Sequence, residues 1–339
     1  MFDFIYIERA VEKHPRTRDI LERFPKATRV FCERYGEVFN RRAQDFRLQK
    51  KRPGLILAEK HGNLVLETPP GYDVGREKNY YFSHMLNCVY DCRYCFLQGM
   101  YRSAHLVLFV NYEDFLGEIE QTIADAPSSC FFSGYDCDSL ALEPLSGFVS
   151  TVLPFFARFP RALFELRTKS TQIRELLARE SLKNCVVAFS LNPDRVVEAL
   201  EAGTPSLDRR IDALRRLAER GWPLGLRFDP VIYHEGFEDT YREFFARVFD
   251  ALPAESLHSV SLGSFRLPGG MFKTVSRLYP DEKLFAFGMA EDGGTVGYRR
   301  ELGEEILGFC RREILGRVSA DRLFECQDSP PSPRKRLQS

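Results

Sequence analysis

The chain of 339 residues carries 48 lysines and arginines against 48 aspartates and glutamates, so its formal charge at neutral pH is zero. That balance excludes a molecule-wide field for nucleic acid or membrane, and any DNA contact has to be local. Hydrophobic residues at 44% and aromatics at 13% exclude a disordered chain and suffice for one barrel-sized domain with a modest extension.

Nine cysteines, an odd number with three packed into eight residues, argue against a disulfide framework and for a reducing compartment. The start Met1-Phe2-Asp3-Phe4 has no basic and apolar leader pattern, and no stretch approaches about eighteen apolar residues. A cytoplasmic protein without membrane insertion is expected.

Residues 1–75 read as an N-terminal α/β extension. It holds an amphipathic helix near Arg18 to Phe24 and the basic cluster Arg41, Arg42, Arg47, Lys50, Lys51 and Arg52. A hairpin is then expected from Leu55-Ile56-Leu57 and Leu64-Val65-Leu66, with His61-Gly62-Asn63 as its turn. The basic cluster, with Phe46 and Leu48 interleaved, fits either a solvated face or a phosphate-contacting patch.

From residue 76 to 317 short apolar runs alternate with longer amphipathic ones. The runs are Tyr80 to Met85, Cys130 to Gly134, Ala162 to Thr168, Cys185 to Ser190, Leu224 to Phe228 and Ser259 to Leu262. The clearest intervening helix is Ser206 to Arg220, with Leu207, Ile211, Leu214 and Leu217 on one face, Ser206 as its cap and Gly221 at its end. Strands alternating with helices imply βα units on a parallel sheet, and six units predict an α/β fold with a partial (β/α)6 barrel of TIM-like type. A further strand at Leu106 to Val110 fits either the sheet or an excursion. Residues 318–339 lose periodicity and end in a basic tail at Pro330 to Arg336, expected to be disordered.

The chemistry-bearing signal is Cys88-Val89-Tyr90-Asp91-Cys92-Arg93-Tyr94-Cys95, a C-x3-C-x2-C spacing. A [4Fe-4S] cube usually takes four thiolates, so three leave one iron open to a substrate or cofactor. Structural zinc instead closes with four ligands, commonly as two pairs, and no second pair accompanies this one. Spacing and flanking aromatics, Tyr94 and Phe96, resemble the radical S-adenosylmethionine (SAM) enzymes. That resemblance implies that SAM chelates the open iron.

In parallel α/β barrels the loops after the strand ends gather the chemistry. Here they hold the cysteine loop, Gly134 to Ser139, Lys169-Ser170, Asn192-Pro193, Asp229-Pro230 with Tyr233 to Gly236, and Ser264 with Arg266. Lys169 and Ser139 suit the carboxylate of SAM, and Ser190 and Asn192 suit its ribose, although each also fits a capping or turn role. Cys137 sits in a polar loop, where its weak S–H bond suits hydrogen donation to a carbon radical; a buried, inert thiol is the other reading. Cys130 and Cys185 read as core. His234 fits either a backbone contact or substrate binding.

The chain resembles the spore photoproduct lyases, radical SAM enzymes that reverse a thymine–thymine ultraviolet lesion in DNA. The likeness runs through Tyr6-Ile7-Glu8, the cluster loop to Gln98, Val110-Asn111, Glu201-Ala202-Gly203-Thr204, Leu207-Asp208, Arg210-Ile211, Gly221 to Gly225, and His234 to Phe237. It implies that Cys88, Cys92 and Cys95 hold a [4Fe-4S] cluster and that Lys169, Ser139 and Ser190 help hold SAM. It further implies hydrogen donation by Cys137 in a relay with Tyr94. Phe96 stands where the family has a second tyrosine, so the relay lacks one hydroxyl. Damaged DNA, an electron donor such as flavodoxin or ferredoxin, and a monomeric state are expected. Two other readings remain: the same radical chemistry on RNA, a peptide or a small molecule, and a non-catalytic metal-dependent nucleic-acid-binding module.

Overall fold

The computed structural model describes residues 2–326 apart from Pro70 and Phe287; the basic tail from Pro330 to Arg336 lies outside them. Six parallel strands follow one another in space as in sequence: Asn79–Phe82, Cys130–Ser133, Leu163–Thr168, Cys185–Ser190, Leu224–Val231 and Leu257–Ser264. They form the partial barrel, here called strands one to six. Strands two to four are buried at nearly every position, as expected for parallel strands covered on both faces. Their outward side chains pack on helices, for example Phe164 stacked on Phe156 at 4.4 Å between ring centroids.

Inside the barrel the side chains are partly ionic. Arg227 of strand five donates to the Glu165 carboxylate of strand three at 2.6 Å and to the Ser259 hydroxyl of strand six at 2.8 Å. Arg167 donates to the same carboxylate at 3.0 Å. Burial alone would raise the Glu165 pKa, but the Arg227 and Arg167 guanidiniums override it and hold the group down to about 2. Room for Arg227 comes from Gly225, where a Cβ would stand 2.6 Å from its guanidinium nitrogen and 2.9 Å from the Ala188 methyl.

The N-terminal segment departs from its sequence reading. Leu55–Ala58 and Leu66–Glu67 do not form a hairpin. The first pairs in parallel with Phe4–Glu8 and Leu106–Phe109, and the second pairs antiparallel with barrel strand one. The physical reason is burial: Leu55–Ala58 is enclosed on both faces and lies inside a five-stranded sheet that also takes in Thr28–Cys32 and Met85–Leu86. Leu106–Phe109 therefore belongs to this N-terminal sheet. Between Arg317 and Cys326 the chain forms regular structure that its fading periodicity did not suggest, because Leu323–Glu325 adds in parallel to strand six.

The helix Pro15–Arg23 covers the expected amphipathic run. Leu207–Glu219 is capped by the Ser206 hydroxyl, which accepts from Arg209 N, and Gly221 follows at φ +74°. Among the described residues no helix is long and apolar enough to cross a membrane.

Candidate active site

The cysteine loop leaves strand one and is fastened from several sides. Asp91–Cys92 pairs antiparallel with Glu201–Ala202, and Arg93 N donates to Leu200 O at 2.8 Å. The Lys50 ammonium donates to the carbonyls of Cys88 and Tyr90, both at 2.8 Å. Asp91 accepts from Gln98 and from the Tyr279 hydroxyl, each at 3.1 Å. The loop enters through Asn87 at φ +68°, whose amide donates to Ser103 O and His105 O; asparagine tolerates this left-handed region better than most residues.

All three thiols are free and near enough to perturb one another's ionisation. Burial raises each, Cys88 to about 12, with Lys50 and Lys169 opposing. Among the described residues no three His, Cys, Asp or Glu side chains converge tightly enough for one ion. Three thiols on one loop fit an iron–sulfur cube, in which each would bind a separate iron and one corner would stay uncommitted.

Behind the loop lies Glu201, fully buried. Its carboxylate accepts from Arg210 at 2.5 Å, from Asn192 at 3.0 Å and from the Tyr94 hydroxyl, and the Lys169 ammonium stands 3.9 Å away. Arg210, equally buried, also donates to Ser190 O at 3.1 Å and to the Thr204 hydroxyl at 2.6 Å. Burial would raise the Glu201 pKa, yet Lys169 and Arg210 keep it lowered. One side chain thus ties the cluster loop to strands three and four.

A cavity of about 210 Å³ opens at the carboxyl ends of the strands. The cluster loop supplies Tyr94, Cys95 and Phe96 on one side; Gly134, Tyr135, Lys169 and Ser190 supply another. Arg167, Asp229, Arg266 and Cys326 line the remainder, with Tyr72 beside Arg167 at 4.8 Å from guanidinium to ring centre. Arg266 pairs with Asp229 at 3.2 Å.

Of the sequence candidates, Tyr94, Cys95, Lys169 and Ser190 reach this cavity. Ser139 does not line it. Its hydroxyl shares a hydrogen bond with the Ser133 hydroxyl at 2.8 Å, screened by Gly134. Asn192 does not line it either; it bonds Glu201 and the Tyr94 hydroxyl, the latter at 3.2 Å. Cys137, 6% exposed, packs in the main core with its thiol at the Met85 backbone, and burial drives its pKa well up. Asp138, not singled out from the sequence, closes this loop by accepting from the Leu140, Ala141 and Lys169 amides and the Thr168 hydroxyl.

Glu201 and Arg210 fall in stretches quoted for family likeness, which was their one sequence signal. Asp229 and Arg266 were legible as strand-end residues without a role. Tyr135 was likewise legible in the loop after strand two without a role, whereas Arg167, Tyr72 and Cys326 carried no site signal.

A partial barrel with a three-cysteine loop at its mouth defines the radical SAM class. Within it, residues 75–291 match the family model described as spore photoproduct lyase, and the chain belongs to that family. It is 28% identical over 202 residues to the spore photoproduct lyase of Bacillus subtilis, an alignment covering 58% of this chain and 59% of that protein. With the spore photoproduct lyase of Clostridium acetobutylicum it shares 25% over 323 residues, covering 91% of this chain and 94% of the relative. A solved spore photoproduct lyase complexed with dinucleoside spore photoproduct superposes with a TM-score of 0.83 at 20% identity, covering 97% of this chain and 99% of that one. A mutant of such a lyase with bound AdoMet and the same dinucleoside gives 0.82 at 20% identity, with the same coverage. Both show the shared fold.

Proposed function

We propose that this chain is a radical SAM carbon–carbon lyase that reverses a thymine–thymine ultraviolet lesion in DNA. The observation that carries the reading is the cavity itself. It has a cluster-loop cysteine, Cys95, in one wall, and Lys169, Ser190, Arg167 and Arg266 in the others.

When bound, a [4Fe-4S] cluster and SAM supply a 5'-deoxyadenosyl radical. Cys88, Cys92 and Cys95 would hold the cluster. Lys169 places a cation for the methionine carboxylate, and Ser190 a hydroxyl for the ribose. Phe96, Tyr72 and Tyr135 offer aromatic faces on which bases stack, and Arg167 and Arg266 offer charge to phosphate. A lesion base must leave the duplex stack to enter, at a cost of about a few kcal/mol that is lower for damaged bases. The Tyr94 hydroxyl is held by Glu201 and Asn192, which orients its ring along the cavity wall.

Hydrogen return to the product radical requires a hydrogen-atom donor, and the weak S–H bond of a thiol suits the step. Cys137 is the candidate by family likeness, and Cys326 is a thiol outside the cluster loop that lines the cavity. Product analysis on the two variants separates them.

The test is anaerobic reconstitution with iron and sulfide, followed by reduction, SAM and dinucleoside spore photoproduct. Release of the repaired thymine dinucleoside is expected. SAM cleavage without repair would move the substrate to RNA, peptide or small molecule. A zinc-loaded protein that cleaves no SAM would leave a binding module.

A further inference from the structure

The basic cluster of residues 41–52 takes no part in the cavity, yet it lies against the cluster loop. The helix Phe46–Lys51 sends Lys50 onto the carbonyls of Cys88 and Tyr90, so Val89, between them, is held beside this helix. Val89 is 36% exposed and Leu48, in the helix, is 65% exposed. These are two of the five large apolar side chains exposed among the described residues. The same segment carries Arg41, Arg42, Arg47, Lys51 and Arg52.

The opposing charge is nearly absent. Asp45, the sole acid within residues 41–52, is engaged as the helix cap, accepting from Leu48 N at 2.9 Å. Among the described residues, Arg41, Arg42, Arg47 and Lys51 have no carboxylate within ion-pair reach, and Arg52 meets Asp3 at 3.9 Å. Arg47 lies toward the loop, 5.7 Å from the Tyr279 ring that also carries Arg93 at 4.0 Å. In a chain with no net charge, a segment of unpaired cations held against the cluster loop beside the exposed Val89 offers charge complementarity to an acidic partner.

Resting on the iron–sulfur reading above, we propose that this face docks a small acidic one-electron carrier protein, which reduces the cluster through the Cys88–Tyr90 edge of the loop. Val89 is covalently adjacent to Cys88, so a carrier seated on this surface lies one residue from a cluster ligand. One electron passes from the reduced carrier to the cluster, no proton moves, and the oxidised carrier departs. None of the residues of this face lines the cavity, so the carrier need not enter it. DNA phosphate would meet Arg167 and Arg266 at the cavity.

The experiment compares the reconstituted protein with a double charge reversal, Arg47→Glu with Lys51→Glu. SAM cleavage is driven in turn by dithionite, which needs no docking, and by reduced flavodoxin. Dithionite-driven cleavage is expected to stay unchanged while the KM for flavodoxin rises about tenfold at low ionic strength, the gap narrowing with salt. Calorimetric titration of flavodoxin into the same proteins tests the face apart from the chemistry, and binding should weaken in parallel. Equal flavodoxin binding by both proteins would overturn the proposal. So would an unchanged flavodoxin KM accompanied by weaker binding of a lesion-bearing oligonucleotide, which would assign the patch to DNA. Arg47→Lys with Lys51→Arg should behave as the unmodified protein.

Discussion

Replacing Glu201 by glutamine removes one charge at the point where the cluster loop joins the barrel. Arg210 is fully buried and takes its 2.5 Å ion pair from this carboxylate. The substitution therefore strands a guanidinium away from water, which costs about 3–5 kcal/mol. At an unfolding entropy of about 2.1 cal/mol/K per residue, a chain of 339 residues loses about 4–7 °C in Tm. Arg210→Met combined with Glu201→Gln removes both charges and should recover most of the loss.

The pH dependence follows from the same group. Burial opposes ionisation of Glu201, but Lys169 and Arg210 lower its pKa in the folded protein. Its contribution is present above the unfolded carboxylate value and disappears as pH falls through the lowered folded value. The Tm difference between unmodified protein and Glu201→Gln should accordingly shrink in acid. Scanning calorimetry across pH measures both effects. A single variant as stable as the parent, or a double variant no better than the single, would refute the account of Glu201 as the counter-charge of Arg210.

Gly134→Ala should destabilise by about 2–4 kcal/mol, the left-handed backbone and the overpacking each contributing. Its φ is +82°, and a Cβ there would stand 2.5 Å from the Ser139 hydroxyl and 2.8 Å from Arg167 O; denaturant unfolding measures the loss. Cys326→Ala and Cys137→Ala should each still cleave SAM. The variant that loses the hydrogen donor gives aberrant products by mass spectrometry, and normal products from both would remove the thiol step. Glu165→Gln should lower stability at neutral pH and lose that deficit only in strong acid, since the folded carboxylate titrates at about 2; acid unfolding curves check it.

The barrel was legible because its strands are apolar runs whose neighbours in space are also neighbours in sequence. Leu55 to Leu57 was misread because His61-Gly62-Asn63 carries turn chemistry, whereas its true partners, Ile5 to Ile7 and Leu106 to Leu108, lie far away in sequence. No local pattern reports such pairing. Lys169 and Ser190 were readable from their places at strand ends. Ser139 and Asn192 occupy equivalent places, but nearby hydroxyl and carboxylate partners turn them from the cavity. The Glu201 network joins residues 94, 169, 192, 201 and 210, and only folding assembles it. Cys326 was hidden for a related reason: periodicity fades before the strand that delivers it.

The two-residue ladder between Asp91–Cys92 and Glu201–Ala202 gives the metal loop a shape of its own. In small zinc modules the ion provides the folding energy, and a chelator unravels them. Here the loop is also tied to the barrel by amide bonds and by the buried Glu201 carboxylate that holds the Tyr94 hydroxyl. The backbone bonds therefore carry part of the work of shaping the loop that in a small zinc module falls to the ion alone.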